Sequence, residues 1–285
     1  MKNRHLVQRN WKGTGMLARR SVSAAWLVLA CVAGIGAAEP PQPKDGPLGM
    51  RFVPLPKGTT YLGWNGTRWS AKKTEIKEGF EIATHTVTQG QWQEVTGKNP
   101  SHFHRQQGKV KDISDEDLKR FPVEQVSWSD AQAFIKKLNE TEAGKGYVYR
   151  LPTEAEWEFA CRGGATTEEE CSYHFYFDKP TNDLSSQQAN FDGNFPFGKA
   201  EKGPYLQRTA KVGSYLPNKL GLYDMHGNVW QWTDSLWQEG ATARVCRGGS
   251  WDFEGDLCQA NFRRGNAPDY KGRNLGLRLV RVPVR

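Results

Sequence analysis

The chain has 285 residues, enough for one large domain or two small ones, and only 37% of them are hydrophobic. Bulky rings carry much of that apolar content (11 Trp, 13 Phe and 9 Tyr) beside 30 Gly and 15 Pro, which predicts a loop-rich globule and excludes a disordered chain. Six of the eight net positive charges fall in residues 1–38, so the remaining +2 gives no support for a nucleic-acid-binding face.

The N-terminal segment has the layout of a secretory signal. Two arginines, Arg19 and Arg20, precede an apolar run that ends in small residues at Ala38 and is short for a membrane-spanning helix. We therefore expect residues 1–38 to be a signal peptide and the protein to be periplasmic or secreted, with no membrane span after cleavage. The alternatives are an uncleaved anchor and a lipid-anchored form attached at Cys31.

A single folded domain is expected after this segment. Residues 39–47 are polar and rich in proline, which predicts a linker, and residues 48–285 are assigned to the domain. Short runs of β-branched and aromatic residues around a glycine-containing turn predict strands at 50–55 and 59–63. The segment 80–83 continues in the same extended style.

Capping patterns predict three helices. One begins after Thr88 and ends at Gly97, and the next begins after Ser127, where an acid stands three residues later. The third begins after Thr153 with the same capping spacing. Residues 164–285 show no long periodic segment, so short extended pieces between Gly, Asn and Pro are expected there.

Four cysteines remain after the predicted cleavage site: Cys161, Cys171, Cys246 and Cys258. An even number of cysteines in an oxidising compartment predicts structural disulfides. The spacing leaves the pairing open.

Five motifs give the domain a family resemblance. In chain order they are Phe121-Pro122-Val123 with Val126-Ser127-Trp128, Arg150–Glu158, Gly221–Met225 with Gly227–Trp230, Arg247–Trp251, and Asn274–Arg278. Together they resemble the formylglycine-generating enzyme family, also called sulfatase-modifying factors. The resemblance covers nearly all of the expected mature chain. It implies an α+β, C-type-lectin-like fold with little regular secondary structure.

The resemblance also implies a candidate catalytic segment. Enzymes of this family oxidise a cysteine of a client sulfatase with oxygen and a copper ion that two cysteine thiolates hold, a soft metal with soft ligands. The matching positions here are Phe253 and Cys258, so this chain is a divergent member that lacks one active-site cysteine. By resemblance, Cys258 and Ser250 are catalytic, and Trp251, Phe253 and Arg278 bind substrate. A lone thiolate argues against copper and against conversion of cysteine to formylglycine.

Calcium is the second cofactor that the resemblance implies. The matching ligand positions are Asn190, Phe191, Asn228 and Val229, with Gln231 where the family has an acid. Oxygen ligands suit a hard cation, and the loss of a carboxylate lowers its affinity. One weakly bound calcium ion is therefore expected, and two tightly bound ions are not.

Two functions follow. The favoured one is metal- and oxygen-dependent oxidation of an exported protein, peptide or small molecule by an exported monomer. The alternative is a non-catalytic, lectin-like binding module of the same fold. The missing cysteine at Phe253 favours the binding module, whereas the retained Ser250 and Cys258 favour chemistry.

Overall fold

A computed structural model describes residues 41–63, 72–105 and 108–284 of the chain. The predicted signal peptide, residues 1–38, lies outside these residues. Within the described ranges, no helix combines the length and the apolar character needed to cross a membrane.

Short strands and helices follow one another along the described residues. The strands are β1 (Lys44–Asp45), β2 (Arg51–Leu55), β3 (Gly58–Leu62), β4 (Lys72–Ile76), β5 (Phe80–Ala83), β6 (Tyr147–Arg150), β7 (Trp230–Leu236), β8 (Arg244–Arg247), β9 (Arg263–Asn266), β10 (Leu275–Leu277) and β11 (Val280–Pro283). The helices are α1 (Gln89–Thr96), α2 (Asp115–Lys119), α3 (Trp128–Thr141) and α4 (Glu154–Cys161).

The larger sheet joins the two ends of the domain. Its strand order is β1-β2-β5-β11-β6, so the last strand of the chain lies between β5 and β6, which come much earlier in the sequence. Part of the segment predicted as a linker belongs to this sheet, because Lys44 and Asp45 pair with β2. Lys44 Nζ also reaches Glu81 Oε1 at 2.5 Å, and Arg281 Nε reaches Glu81 Oε2 at 2.7 Å. The prediction of a linker over the whole of 39–47 is therefore wrong.

The second sheet carries the loops of the candidate site. Its order is β10-β7-β8-β9, with β10 parallel to β7 and the other pairs antiparallel. The remaining two strands, β3 and β4, form an antiparallel hairpin. The long connections from α4 to β7 and from β8 to β9 contain little regular structure.

The three predicted helix starts are confirmed. Thr88, Ser127 and Thr153 each accept a hydrogen bond from the third residue of their helix, whose side chain binds back to the cap in a full capping box. The first helix ends as predicted at Gly97, whose φ of 76° lies in the left-handed region that glycine adopts without strain.

Large rings fill the main core between the helices and the sheets. Trp92 of α1 stacks on Phe134 of α3 with ring centroids 4.8 Å apart. Trp230 and Trp232 of β7 are buried in the same cluster, at 1% and 0% exposure. Such rings bury much surface with few rotatable bonds, which explains how a chain of low hydrophobic content holds long irregular loops in place.

A buried charge network links α4 to the loop after β8. The Glu158 carboxylate is fully buried and pairs with Arg162, 2.7 Å away, and with Arg247. Arg247 also donates to the carbonyl oxygens of Ala260 and Phe262, at 2.7 and 2.9 Å. Two guanidinium groups therefore compensate one buried carboxylate, and carbonyl oxygens accept hydrogen bonds from the Arg247 guanidinium, which together lower the cost of burying these charges.

Candidate functional site

The predicted catalytic segment turns sharply directly after β8. Gly248 and Gly249 have φ values of 101° and 75°, a region in which a side chain is strained. A Cβ at Gly249 would collide with the Sγ and backbone of Cys258. The glycine pair therefore allows the turn to pack directly against the short 3₁₀ helix Gly255–Cys258.

Cys258 lies in a closed environment. Its side chain is fully buried, and its Sγ contacts the Glu254 carbonyl oxygen at 3.7 Å. Burial raises the pKa of the thiol well above its ordinary value, and a hydrogen bond from the Ser250 backbone N–H only partly opposes this. A buried neutral thiol is a poor nucleophile and a poor metal ligand.

The family's first cysteine position is filled by an aromatic ring. Phe253 packs edge-on against Trp230 with centroids 5.7 Å apart, and the Arg264 guanidinium lies 5.0 Å from its centroid. Cys246 offers no substitute, since its sulfur accepts from Asn266 Nδ2 at 3.4 Å in a different core cluster from Cys258. The residues present therefore do not fit a two-thiolate copper ion.

All four cysteines of the described residues are buried and free. The predicted structural disulfides are therefore wrong for Cys161, Cys171, Cys246 and Cys258. Burial raises the pKa of the thiols of Cys161 and Cys246 to about 12. These side chains serve as small apolar core residues, the common role of a buried free cysteine.

Ser250 is held away from solvent. It is fully buried, and its Oγ donates to Asp252 Oδ1 at 2.8 Å. The Asp252 carboxylate also accepts from Asn274 Nδ2 at 2.9 Å. The serine hydroxyl therefore stabilises the loop through Asp252, and the structure gives it no route to a ligand.

Arg278 does not face a ligand either. It is fully buried and donates to the carbonyl oxygen of Ala83 at 2.8 Å and to Gln231 Oε1 at 2.9 Å. It also donates to the Tyr223 carbonyl oxygen at 2.5 Å. In this structure the guanidinium fastens the segments of Ala83, Tyr223 and Gln231 together, and substrate binding by Arg278 stays a prediction.

The predicted calcium residues form a hydrogen-bonded group of their own. Asn228 Oδ1 accepts from Asn190 Nδ2 at 3.2 Å and from the Ala210 N–H at 2.9 Å. Gln231 Oε1 accepts from Trp157 Nε1 and Arg278 Nε, each at 2.9 Å. These bonds occupy the side-chain oxygens of Asn228 and Gln231.

The calcium prediction therefore depends on Asn190 and on main-chain oxygens such as those of Phe191 and Val229, whose side chains are buried. Over the described ranges, no cluster of three or more His, Cys, Asp or Glu residues is placed to hold a metal ion. The carboxylate of Asp224 lies beside this group and hydrogen-bonds to Asn228, and so little negative charge fits a weakly bound calcium ion better than a tightly bound one.

An open cavity lies against Trp251. Its volume is about 190 Å³ and its walls mix rings, cations and amides. The lining residues are His102, Phe103, Lys109, Tyr205, Gln207, Trp251 and Arg273. Of the residues predicted to be catalytic or to bind substrate, only Trp251 lines it. Sequence reasoning gave none of the other lining residues a catalytic or substrate-binding role, because they come from three distant loops; it considered His102, with His104, only as a possible metal pair.

Trp251 is the floor of this cavity. Its indole Nε1 donates to the Arg273 carbonyl oxygen at 3.1 Å, and the Arg273 guanidinium lies 5.2 Å from the indole centroid. Phe103 meets the indole edge-on at 5.3 Å, and Tyr205 stacks at 6.2 Å. These contacts fix the rings in place, so the cavity is formed before any ligand arrives.

A buried carboxylate supports one wall of the cavity. Glu124 is fully buried, and its two oxygens accept from the backbone N–H groups of His102 and Phe103, each at 2.9 Å. Burial raises its pKa to about 8 against those two hydrogen bonds and the charge of Arg273. Glu124 is therefore a positioning residue for the loop that forms the cavity wall.

A buried histidine supports the part of the site around Ser250 and Cys258, which we call the closed side because both residues are fully buried. The Nδ1 of His226 lies 2.8 Å from the Cys258 carbonyl oxygen, so Nδ1 carries the proton and donates. Nε2 then accepts from the Tyr176 N–H at 2.9 Å and contacts the Cys161 sulfur at 3.6 Å. Burial lowers the pKa of His226 to about 4, which keeps the ring neutral.

Comparison with known proteins agrees with this geometry. A family profile described as sulfatase-modifying factor enzyme 1-like domain matches residues 38–283. The mouse formylglycine-generating enzyme is 34% identical over 228 residues, which cover 73% of this chain and 54% of that protein. The inactive C-alpha-formylglycine-generating enzyme 2 of Bos taurus is 39% identical over 169 residues, 56% of this chain and 50% of that protein. The chain thus spans about half the length of these curated relatives.

Among solved structures, PvdO from Pseudomonas aeruginosa has a similar fold. The TM-score is 0.63 at 23% identity, with 86% of this chain and 99% of that chain covered. The expected α+β, C-type-lectin-like class with little regular secondary structure is thereby confirmed. Because the family profile matches most of its length, this chain belongs to the formylglycine-generating enzyme (sulfatase-modifying factor) family.

Proposed function

We propose that this chain is an exported, monomeric binding domain of the formylglycine-generating enzyme family that captures a ligand without oxidising it. The observation that carries the proposal is the contrast around Trp251. The cysteine side of the segment is closed, whereas the opposite side opens into a preformed cavity of about 190 Å³.

The closed side lacks what the family's oxidation needs. Linear coordination of copper requires two thiolates, and Cys258 is a single, fully buried thiol whose pKa burial raises. Phe253 fills the family's first cysteine position with a hydrocarbon ring that is packed against Trp230. Supplying a second thiolate from Cys246 would require its removal from another core cluster.

Oxidation of an exported protein, peptide or small molecule is the second candidate. It is favoured by one feature, the Ser250 backbone N–H that donates to the Cys258 sulfur and stabilises its thiolate form. Burial raises the pKa of the Cys258 thiol by more than that hydrogen bond lowers it, so we rank oxidation below binding. Several relatives share the fold, and one of those compared is named as an inactive enzyme.

The proposed location outside the cytoplasm is supported by the sequence alone. Arg19 and Arg20 precede an apolar run that closes with small residues at Ala38, the order of a secretory signal. An N-terminal sequence of the protein purified from the producing cell, together with its distribution between fractions, tests export independently of binding.

The test of catalysis is mass spectrometry of a peptide containing Cys-x-Pro-x-Arg after incubation with the chain, Cu(I), oxygen and a thiol reductant. The wild type is expected to leave the cysteine unchanged, while an active formylglycine-generating enzyme converts it in a parallel reaction. Conversion by the wild type would overturn the proposal.

Two substitutions at one position sharpen that test. Phe253→Cys supplies the missing thiol, and Phe253→Ser is the matched control of similar size without a soft ligand. Copper binding and conversion by Phe253→Cys alone would show that one residue removed the activity. Failure of both variants, with unchanged circular dichroism, would show that the closed side has diverged beyond that residue.

A further inference from the structure

The Trp251 cavity has a neighbour with which it shares a wall. A second cavity of about 360 Å³ is lined in part by Ile113, Phe121, Leu206, Arg208 and Tyr215. Within the segment 205–208, alternate residues face different cavities, with Tyr205 and Gln207 on the first and Leu206 and Arg208 on the second. Gln207 has a φ of 54°, and this left-handed turn places its side chain against Lys109.

One buried cluster supports both cavities. Phe103 and Trp251 belong to the same apolar cluster as Phe121, with Ile113 and Tyr205 packed against it. The two cavities therefore share one buried support and are separated by the segment 205–208, across which a ligand would have to reach to occupy both. We call them the Trp251 compartment and the Leu206 compartment.

The two compartments differ in chemistry. The Trp251 compartment holds the cations Lys109 and Arg273, and neither has a carboxylate within ion-pair distance among the described residues. The Leu206 compartment also holds charged side chains, and its exposed apolar group is Leu206, which is 38% exposed. An exposed leucine beside other apolar walls is favourable only once something covers it.

The charged residues that line the compartments are mostly cations. Lys109, Arg273, Arg208 and Lys211 line them, and the only carboxylate among their lining residues is Asp117, which pairs with Lys211 at 2.9 Å. Arg208 is directed at the Phe121 ring, 5.6 Å from its centroid. A partner that brings a negative charge into the Trp251 compartment is therefore complementary.

We propose that this surface binds an acidic peptide segment, with a carboxylate side chain in the Trp251 compartment and a neighbouring apolar side chain in the Leu206 compartment. The inference rests on the proposed binding function and names its ligand class. Arg273 and Lys109 donate to the carboxylate, and Leu206, Ile113 and Tyr215 cover the apolar group. With volumes of about 190 and 360 Å³, each compartment has room for at least one side chain.

The first experiment measures binding of the full chain to fluorescein-labelled peptides by anisotropy. Each peptide carries one Glu and one Leu separated by zero to three glycines, and matched peptides replace Glu by Gln or Leu by Gly. We expect the best Glu-Leu spacing to bind at least about tenfold more tightly than either matched peptide, the size of one charge-assisted hydrogen bond.

Variants locate the binding. Arg273→Gln keeps the backbone carbonyl that accepts from Trp251 Nε1 and removes the charge, and Leu206→Ser changes an exposed side chain. Arg273→Gln is expected to abolish the preference for Glu over Gln, and Leu206→Ser the preference for Leu over Gly. Lys137→Gln, an exposed cation on α3, is the matched control and is expected to bind like the wild type.

Three outcomes would overturn the inference: no peptide of the series binds, Glu and Gln peptides bind equally, or Arg273→Gln retains the full preference. A parallel titration with polygalacturonate, which carries carboxylates on sugars, distinguishes an acidic sugar from an acidic peptide as the ligand. If the polymer binds and no peptide of the series does, a peptide ligand is rejected. None of these results bears on whether the chain converts a Cys-x-Pro-x-Arg peptide, so the two proposals fail separately.

Discussion

The closed side around Cys258 and the open side at the Trp251 cavity differ in two respects: whether their side chains are buried and whether their charges are paired. On the closed side, Ser250 and Cys258 are fully buried, and the nearby carboxylate of Glu158 is compensated by two arginines. On the open side, Arg273 and Lys109 reach a cavity without a carboxylate partner in the described structure. A stable core needs an opposite charge beside each buried charge, whereas a cation without a carboxylate partner at a surface is available to an anionic ligand.

This contrast explains why family motifs are a poor guide to the site of this chain. The motif residues Ser250, Cys258 and Arg278 are retained where they hold loops together by packing and hydrogen bonds. The cavity is instead built largely by residues outside the motifs, such as Tyr205 and Lys109. A motif that holds loops together can persist whether or not the chain carries out the chemistry of its family.

The largest effect is expected from removing the charge at the centre of the closed side. Glu158→Gln leaves Arg162 and Arg247 buried without their shared carboxylate, which costs about 5 kcal/mol of unfolding free energy, the upper end for a broken buried pair. Urea denaturation measures this cost. The control Glu116→Gln breaks the exposed pair with Lys119 and is expected to change stability by about 0.5 kcal/mol or less. Equal effects of the two substitutions would contradict the contrast.

The second prediction concerns the carboxylate that supports the open side. The pKa of Glu124 is raised from 4.5 to about 8, so the folded state holds a proton that the unfolded state releases. Its contribution to stability is therefore fully present below pH 4.5 and is lost as the pH rises through about 8, by on the order of 4 kcal/mol. Glu124→Gln removes that titration. Unfolding free energies of wild type and variant across pH 4–9 should diverge in this direction, and parallel curves would reject the assignment.

The third prediction is the opposite pH dependence on the closed side. The pKa of His226 is lowered from 6.5 to about 4, so its contribution is present above pH 6.5 and is lost as the pH falls through about 4. The loss is on the order of 3 kcal/mol. His226→Asn keeps a donor for the Cys258 carbonyl oxygen but does not titrate. Its stability relative to wild type should therefore improve on acidification, and a constant difference would show that His226 does not titrate in this range.

Local rules predicted the helices well and the site poorly. The capping boxes at Thr88, Ser127 and Thr153 are encoded within four residues, so the sequence specifies them without tertiary information. The wall formed by Glu124 and the loop at His102 depends on a contact between residues 22 positions apart, which no local pattern reports. The strand at Lys44 was missed for the same reason, because its partner and its ion pair with Glu81 come from elsewhere in the chain.

Calcium gives the smallest expected effect and tests whether the closed side retains any affinity for a cation. Since the oxygens of Asn228 and Gln231 already accept hydrogen bonds, millimolar calcium should raise Tm by at most about 3 °C, as a millimolar Kd adds about 1 kcal/mol or less. Gln231→Glu restores the acid of the family pattern. Glu would still accept from Trp157 and Arg278, but its second oxygen would face the Asp224 carbonyl oxygen, to which Gln231 Nε2 now donates at 2.8 Å.

A cation at that position would relieve the repulsion between the two oxygens, so Gln231→Glu should be less stable than wild type without calcium and gain more from it. Thermal unfolding with calcium and with EDTA measures both differences. A rise of more than about 10 °C in the wild type would show a tight site, which the carboxylate-poor group around Asn190 does not predict. An equal response of both proteins would mean that calcium acts away from Gln231 and that the side chain at this position serves only to hold Trp157, Arg278 and the Asp224 carbonyl oxygen in place.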